Sequence, residues 1–82
     1  MIIIYGTEWC SWCLKAKVLA EQYLLDFVFK DVDNDDTKQQ LMDVMPDYKT
    51  IPQIWWHGHH IGGYEDFARE IENTRNYGQD KF

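Results

Sequence analysis

Cys10 and Cys13 are the only cysteines of the chain, and they stand in Trp9-Cys10-Ser11-Trp12-Cys13. Thiols at this spacing can close a disulfide when one helical turn brings the sulfurs together, and open it again on reduction. The apolar run Ile2-Ile3-Ile4-Tyr5 comes just before them and is broken by Gly6-Thr7-Glu8. The pattern is that of a strand delivering two thiols to the start of a helix. There the first thiol faces unpaired backbone N–H groups and the positive end of the helix dipole, both of which favour a thiolate. Cys10 is therefore the expected attacking nucleophile, forming a mixed disulfide with a substrate. Cys13, further inside the turn, is the expected resolving thiol.

Two blander readings use the same residues. A structural disulfide closing so short a loop would constrain the unfolded chain weakly. Half a zinc site has the same spacing, but zinc needs two further ligands, and the available histidines are His57, His59 and His60 on a predicted hairpin far along the chain. Exposure and a turn position account for those histidines, and no metal site is expected. Of the tryptophans beside the thiols, Trp9 has core filling or sheet-edge capping as its plain role. Trp12 is the better candidate for a flat exposed surface against a peptide or small thiol.

The elements that must hold the thiols follow from the pattern. A strand over Ile2–Tyr5, apolar throughout, is expected to be buried on both faces. A helix follows from about Ser11 to Leu25, with Ala16, Leu19, Ala20 and Tyr23 along one side and Leu14 and Val18 beside them. Asp26–Asp33 reads as a second strand with Phe27 and Phe29 on one face. Asn34-Asp35-Asp36-Thr37 offers N-caps for a helix from about Asp36 to Val44 or Met45, turning Leu41, Val44 and Met45 inward, and Pro46 ends it. Gln53–His57 is a third strand, and Gly58-His59 turns the chain into a short fourth strand, His60-Ile61. A last helix runs from Glu65 or Asp66 to about Asn76, burying Phe67, Ala68 and Ile71, and the tail from Gly78 to Phe82 is expected to fray.

The order is β-α-β-α-β-β-α in one α/β domain spanning residues 1–82. A right-handed crossover makes the first two strands parallel, so the sheet is mixed. Thr50-Ile51-Pro52 precedes the third strand. A trans proline there would mark the strand start, whereas a cis proline would turn the Ile51 N–H and C=O toward an extended partner, and the sequence leaves both open.

Composition excludes several classes of function. The 82 residues carry 14 acidic against 8 basic side chains, a net charge of -6, so no phosphate-neutralising patch exists and nucleic acid is not an expected partner. Hydrophobic content of 45%, with four Trp, five Tyr and four Phe, marks an ordered globule. No apolar stretch approaches the roughly 20 residues of a membrane helix. Met1–Tyr5 lacks the basic leader of a signal peptide, and a cytoplasmic location is the expectation.

Four features in this order resemble the glutaredoxin family of the thioredoxin fold: Tyr5-Gly6-Thr7-Glu8-Trp9-Cys10-Ser11-Trp12-Cys13, Thr50-Ile51-Pro52, Gln53-Ile54 entering a strand, and Gly62-Gly63-Tyr64-Glu65-Asp66. The likeness is greatest to small bacterial and bacteriophage members. It implies a four-stranded mixed sheet with three flanking helices and a thiol–disulfide oxidoreductase that uses glutathione as co-substrate, with no tightly bound cofactor. It also implies roles by position. Cys10 and Cys13 match the catalytic pair, and Trp12 matches an aromatic lining the glutathione groove. Ile51, before a cis proline matched by Pro52, would pair its backbone with the cysteinyl part of glutathione. Gly63, Tyr64, Glu65 and Asp66 match the segment meeting the γ-glutamyl end, and Lys49 the basic residue for the glycyl carboxylate.

The same resemblance implies ribonucleotide reductase as a candidate protein substrate, and a monomer is the expectation. Two departures stand out. Thr7 replaces a lysine common in the family, which leaves room for a glutaredoxin-like thioredoxin recharged by thioredoxin reductase. Ser11 replaces the proline common between the cysteines, a change that in some members goes with a glutathione-ligated 2Fe–2S cluster shared by two subunits.

Overall fold

The computed structural model describes residues 1–79, and side chains through residue 73. Strand β1 (Ile2–Gly6) leads to helix α1 (Ser11–Gln22), β2 (Phe27–Asp31), α2 (Asp35–Val44), the hairpin β3 (Gln53–Trp56) and β4 (His59–Gly62), and α3 (Tyr64–Gln79). The strands lie in the order β2-β1-β3-β4. β1 pairs parallel with β2 and antiparallel with β3, and β4 adds antiparallel to β3.

Register assigns the two faces of the sheet. Ile2 and Ile4 stand opposite Trp56 and Ile54 on one side and Phe27 and Phe29 on the other, so these side chains share a face. α1 and α3 cover it with Ala16, Ala20, Phe67 and Ile71, forming the main core. Phe67 is fully buried and meets the Trp56 ring edge-on at 5.8 Å. The alternate residues Ile3, Tyr5, Lys30 and Trp55 take the second face, where Lys30 Nζ reaches Gln40 of α2. Ile3 and Tyr5 are half-buried, so β1 is sealed fully on the α1/α3 side alone.

α1 explains both its approach to the sheet and its modest amphipathicity. Cys13, Ala16 and Ala20 follow one stripe and are all fully buried, and two alanines let the helix sit close. Leu14 and Val18, expected beside that stripe, are exposed, because each residue step turns a helix by about 100° and carries them off it. Tyr23, expected on the stripe itself, is exposed as well, because it caps the helix end rather than continuing it.

The helix ends at Gln22, short of the expected Leu25. Leu24 adopts φ 56°, its N–H donates to Glu21 C=O at 3.1 Å, and the Leu25 N–H donates to Ala20 C=O at 2.9 Å. This is a Schellman termination with leucine in the left-handed position usually given to glycine.

α2 begins one residue earlier than expected. Asn34 Oδ1 accepts the Thr37 N–H at 3.1 Å, with Asp35 and Asp36 in the first turn favouring the dipole. Leu41 is buried, but Val44 is largely exposed, because α2 offers only a narrow apolar edge to β2.

The β3–β4 turn places His57 at φ 57° and Gly58 at φ 76°, two left-handed residues as a type I′ hairpin requires. His57 then stacks on Trp56 at 5.1 Å. α3 starts at Tyr64 and continues through Gly78 to Gln79, beyond the expected stop near Asn76. The rest of the expected frayed tail, residues 80–82, lies outside the described residues. No helix among the described residues is long and apolar enough to cross a membrane.

Candidate active site

The loop after β1 delivers Cys10 to the N-cap of α1, with φ -92° and ψ 118°. Its sulfur takes the part that Ser, Thr, Asp or Asn usually plays there, accepting the Cys13 backbone N–H at 3.3 Å. The Cys10 N–H in turn donates to Thr7 C=O at 3.4 Å, closing the loop. Both cysteines are reduced; Cys10 is half-buried and Cys13 fully buried.

Burial pushes the Cys13 thiol from the ordinary 9.0 up to about 12, reinforced by its hydrogen bond to Cys10 and by the charge on that sulfur. The Thr7 backbone and Lys17 act in the opposite direction and are outweighed. Cys13 is thus a protonated, sheltered thiol at neutral pH, beside a more accessible sulfur that accepts a helix N–H.

Beside Trp12 opens a groove of about 310 Å³, at the lower end of the 300–1,000 Å³ typical of small-molecule clefts. Its walls are Trp12, Thr50, Ile51, Pro52, Gly63, Tyr64, Glu65 and Asp66. The α1 start, the β3 approach and the α3 start thus converge on one cleft. The Ile51–Pro52 bond, left open by the sequence, is cis. Trp12 is 47% exposed, 5.5 Å from the Tyr64 ring and 4.3 Å from Lys15 Nζ, which holds its indole along the groove.

At the other wall Gly62 has φ 126°, and a β-carbon there would overlap the Asp66 carboxylate. That carboxylate accepts the Gly63 N–H at 3.4 Å, reaching back to the cap of α3, and bonds Arg69 at 3.3 Å.

Of the expected site residues, the structure gathers Trp12, Ile51, Pro52, Gly63, Tyr64, Glu65 and Asp66 into one cleft. Lys49 is exposed and lies one residue outside that lining. Trp9 departs from the core or capping role expected of it. It is 76% exposed, and its indole N–H donates to Asp33 at 2.9 Å. Two features escaped the sequence reading: Thr50 as part of the groove wall, and Gln53 and His60 bonded behind it. A polar residue opening the apolar run Ile54-Trp55-Trp56 was the available signal. Among the described residues, no three His, Cys, Asp or Glu side chains gather where they could hold a metal ion.

Comparison with known proteins agrees with this arrangement. The Glutaredoxin family model matches residues 2–61. Glutaredoxin 1 of Escherichia coli is 38% identical over 79 residues, covering 88% of this chain and 93% of that protein. The solution structure of reduced Escherichia coli glutaredoxin superposes with a TM-score of 0.75 at 29% identity, over 92% of this chain and 96% of that one. The buckwheat glutaredoxin–glutathione complex shares the fold, with a TM-score of 0.73 at 19% identity, over 89% of this chain and 69% of that one. A thioredoxin-fold sheet, a dithiol at the mouth of its first helix and relatives of this likeness lead to one conclusion: the chain belongs to the glutaredoxin family of thiol–disulfide oxidoreductases.

Proposed function

We propose that Cys10 and Cys13 reduce protein disulfides and glutathione mixed disulfides, with glutathione as the electron donor. The observation that carries this reading is the Cys10 sulfur at the N-cap of α1, bonded by the Cys13 N–H and flanked at Trp12 by a groove of small-molecule size.

The Cys10 thiolate attacks one sulfur of a client disulfide. A Cys10–client bond forms, the client S–S bond breaks, and its other sulfur leaves as a thiolate. Cys13 then meets changed surroundings. While Cys10 is an anion, its charge and its hydrogen bond help keep Cys13 protonated. Once Cys10 is tied in a mixed disulfide both effects vanish, and Cys13 loses its proton more readily. Its thiolate attacks the Cys10 sulfur, frees the client's second thiolate and leaves a Cys10–Cys13 disulfide. One glutathione thiolate reopens that disulfide by bonding to Cys10, and a second removes the first as glutathione disulfide. The client gains two electrons, and two glutathiones supply them.

A glutathionyl group lies in the groove with its cysteinyl backbone on Ile51, beside Pro52 and the Trp12 ring. Its γ-glutamyl carboxylate meets the Gly63 and Tyr64 backbone at the start of α3, where a helix N-terminus favours an anion. Asp66 takes the amine, with Glu65 beside it. Lys49 swings in to the glycyl carboxylate. Support comes from the lining residues themselves and from the glutathione complex of a protein sharing the fold. Ribonucleotide reductase is proposed as one client, the acting species as a monomer, and a reducing cytoplasm as the setting.

Steady-state turnover of a glutathionylated peptide with glutathione, glutathione reductase and NADPH tests the reading. Turnover in that system and none with thioredoxin reductase is expected. Recharging by thioredoxin reductase alone overturns it in favour of a thioredoxin-type cycle.

A further inference from the structure

Behind the groove wall lies a hydrogen-bonded chain that reaches neither cysteine. Gln53 opens β3 with its side chain buried, and its amide nitrogen donates twice to one residue: to Thr50 C=O at 2.8 Å and to Thr50 Oγ1 at 3.3 Å. Its amide oxygen faces His60 Nε2 of β4 at 2.7 Å. The Thr50 carbonyl can only accept, so the Gln53 amide is oriented without ambiguity: nitrogen toward Thr50, oxygen toward His60. His60 must therefore donate from Nε2, and its ring is steadied against Trp55 at 4.7 Å. The bridge spans Thr50-Ile51-Pro52, three consecutive residues of the groove wall, and ties them to the outer strand of the sheet.

We propose that Gln53 is a positioning residue for glutathionyl substrates: through Thr50 and His60 it holds the Thr50–Pro52 wall opposite the start of α3, at the spacing a bound glutathionyl group needs. The inference rests on the reading of the groove as a glutathione site. Gln53 touches neither substrate nor the reacting sulfurs, so its loss is felt in substrate binding and leaves the nucleophile intact. A glutamate of the same shape cannot donate to Thr50 and sets a carboxylate against its carbonyl. Losing His60 leaves the Gln53 amide oxygen short of its donor. A glutamine at that position restores one, because its side-chain N–H can stand where Nε2–H stood.

The test is steady-state kinetics on a glutathionylated peptide, comparing wild type with Gln53→Glu, His60→Ala and His60→Gln, together with the rate at which iodoacetamide alkylates Cys10. Gln53→Glu should raise KM about tenfold with kcat within about twofold, the scale of one buried hydrogen bond lost. His60→Ala should raise KM in the same direction and His60→Gln should recover most of the loss, with Cys10 alkylation unchanged throughout. The exposed His60 pair carries the test if Gln53→Glu does not fold. An unshifted KM in His60→Ala, no recovery in His60→Gln, or a fall in kcat matched by slower Cys10 alkylation overturns the inference. Absence of wild-type turnover with glutathione overturns the functional reading instead, and this inference with it.

Discussion

The Cys13 sulfur lies against Gly6, filling the space a β-carbon on that glycine would need. The last residue of β1 is thus the floor on which the resolving thiol rests. The same β-carbon would also press on the Cys13 β-carbon and touch the Phe29 ring of β2. Gly6→Ala should destabilise the domain by about 1–3 kcal/mol, the usual range for overpacking. It should also slow closure of the Cys10–Cys13 disulfide. Urea unfolding and the rate of disulfide formation check both, and unchanged values would contradict the packing.

The two thiols should be chemically distinct. At neutral pH iodoacetamide should modify Cys10 alone, and Cys13 only after unfolding, because Cys13 is fully buried and its thiol is pushed up to about 12. Mass mapping of the alkylated peptides reads this directly.

Cys10→Ser should abolish reduction of every disulfide substrate. Cys13→Ser should lose protein disulfides yet retain activity on glutathione mixed disulfides, where a second glutathione replaces the resolving thiol. Equal, complete loss of both activities in the two variants would refute the division of roles.

Alkaline pH should reveal the buried thiol in stability. Cys13 ionises near 9.0 in the unfolded chain and near 12 in the folded one. Between those values the unfolded state holds fewer protons, so stability declines as pH rises through that window and is undiminished below it. Melting temperatures across the window should fall more steeply for the wild type than for Cys13→Ala.

Leu24 holds a left-handed backbone at the end of α1 while 91% exposed, so its side chain gains little from burial there. Leu24→Gly should relieve that conformation at a smaller entropic cost and stabilise the domain by about 0.5–1 kcal/mol. A lower melting temperature would show that the leucine has a packing role.

Much of the molecule was written in local pattern. The dithiol, the order of strands and helices and the Asn34 cap each depend on a few neighbouring residues, and side-chain chemistry with backbone period suffices to read them. The hairpin turn falls at His57-Gly58, one residue before the expected Gly58-His59, because His57 as well as Gly58 takes a left-handed backbone. Tertiary structure alone decided what joins distant segments. It set the order β2-β1-β3-β4, added Thr50 to the groove that the resemblance assigned to Trp12, Ile51, Pro52 and Gly63–Asp66, and turned Trp9 and Val44 outward. It also selected the cis form of Pro52 and hid Gln53 behind the wall it supports. These outcomes depend on which surfaces meet across the sheet, and a one-dimensional pattern records each surface without recording its partner.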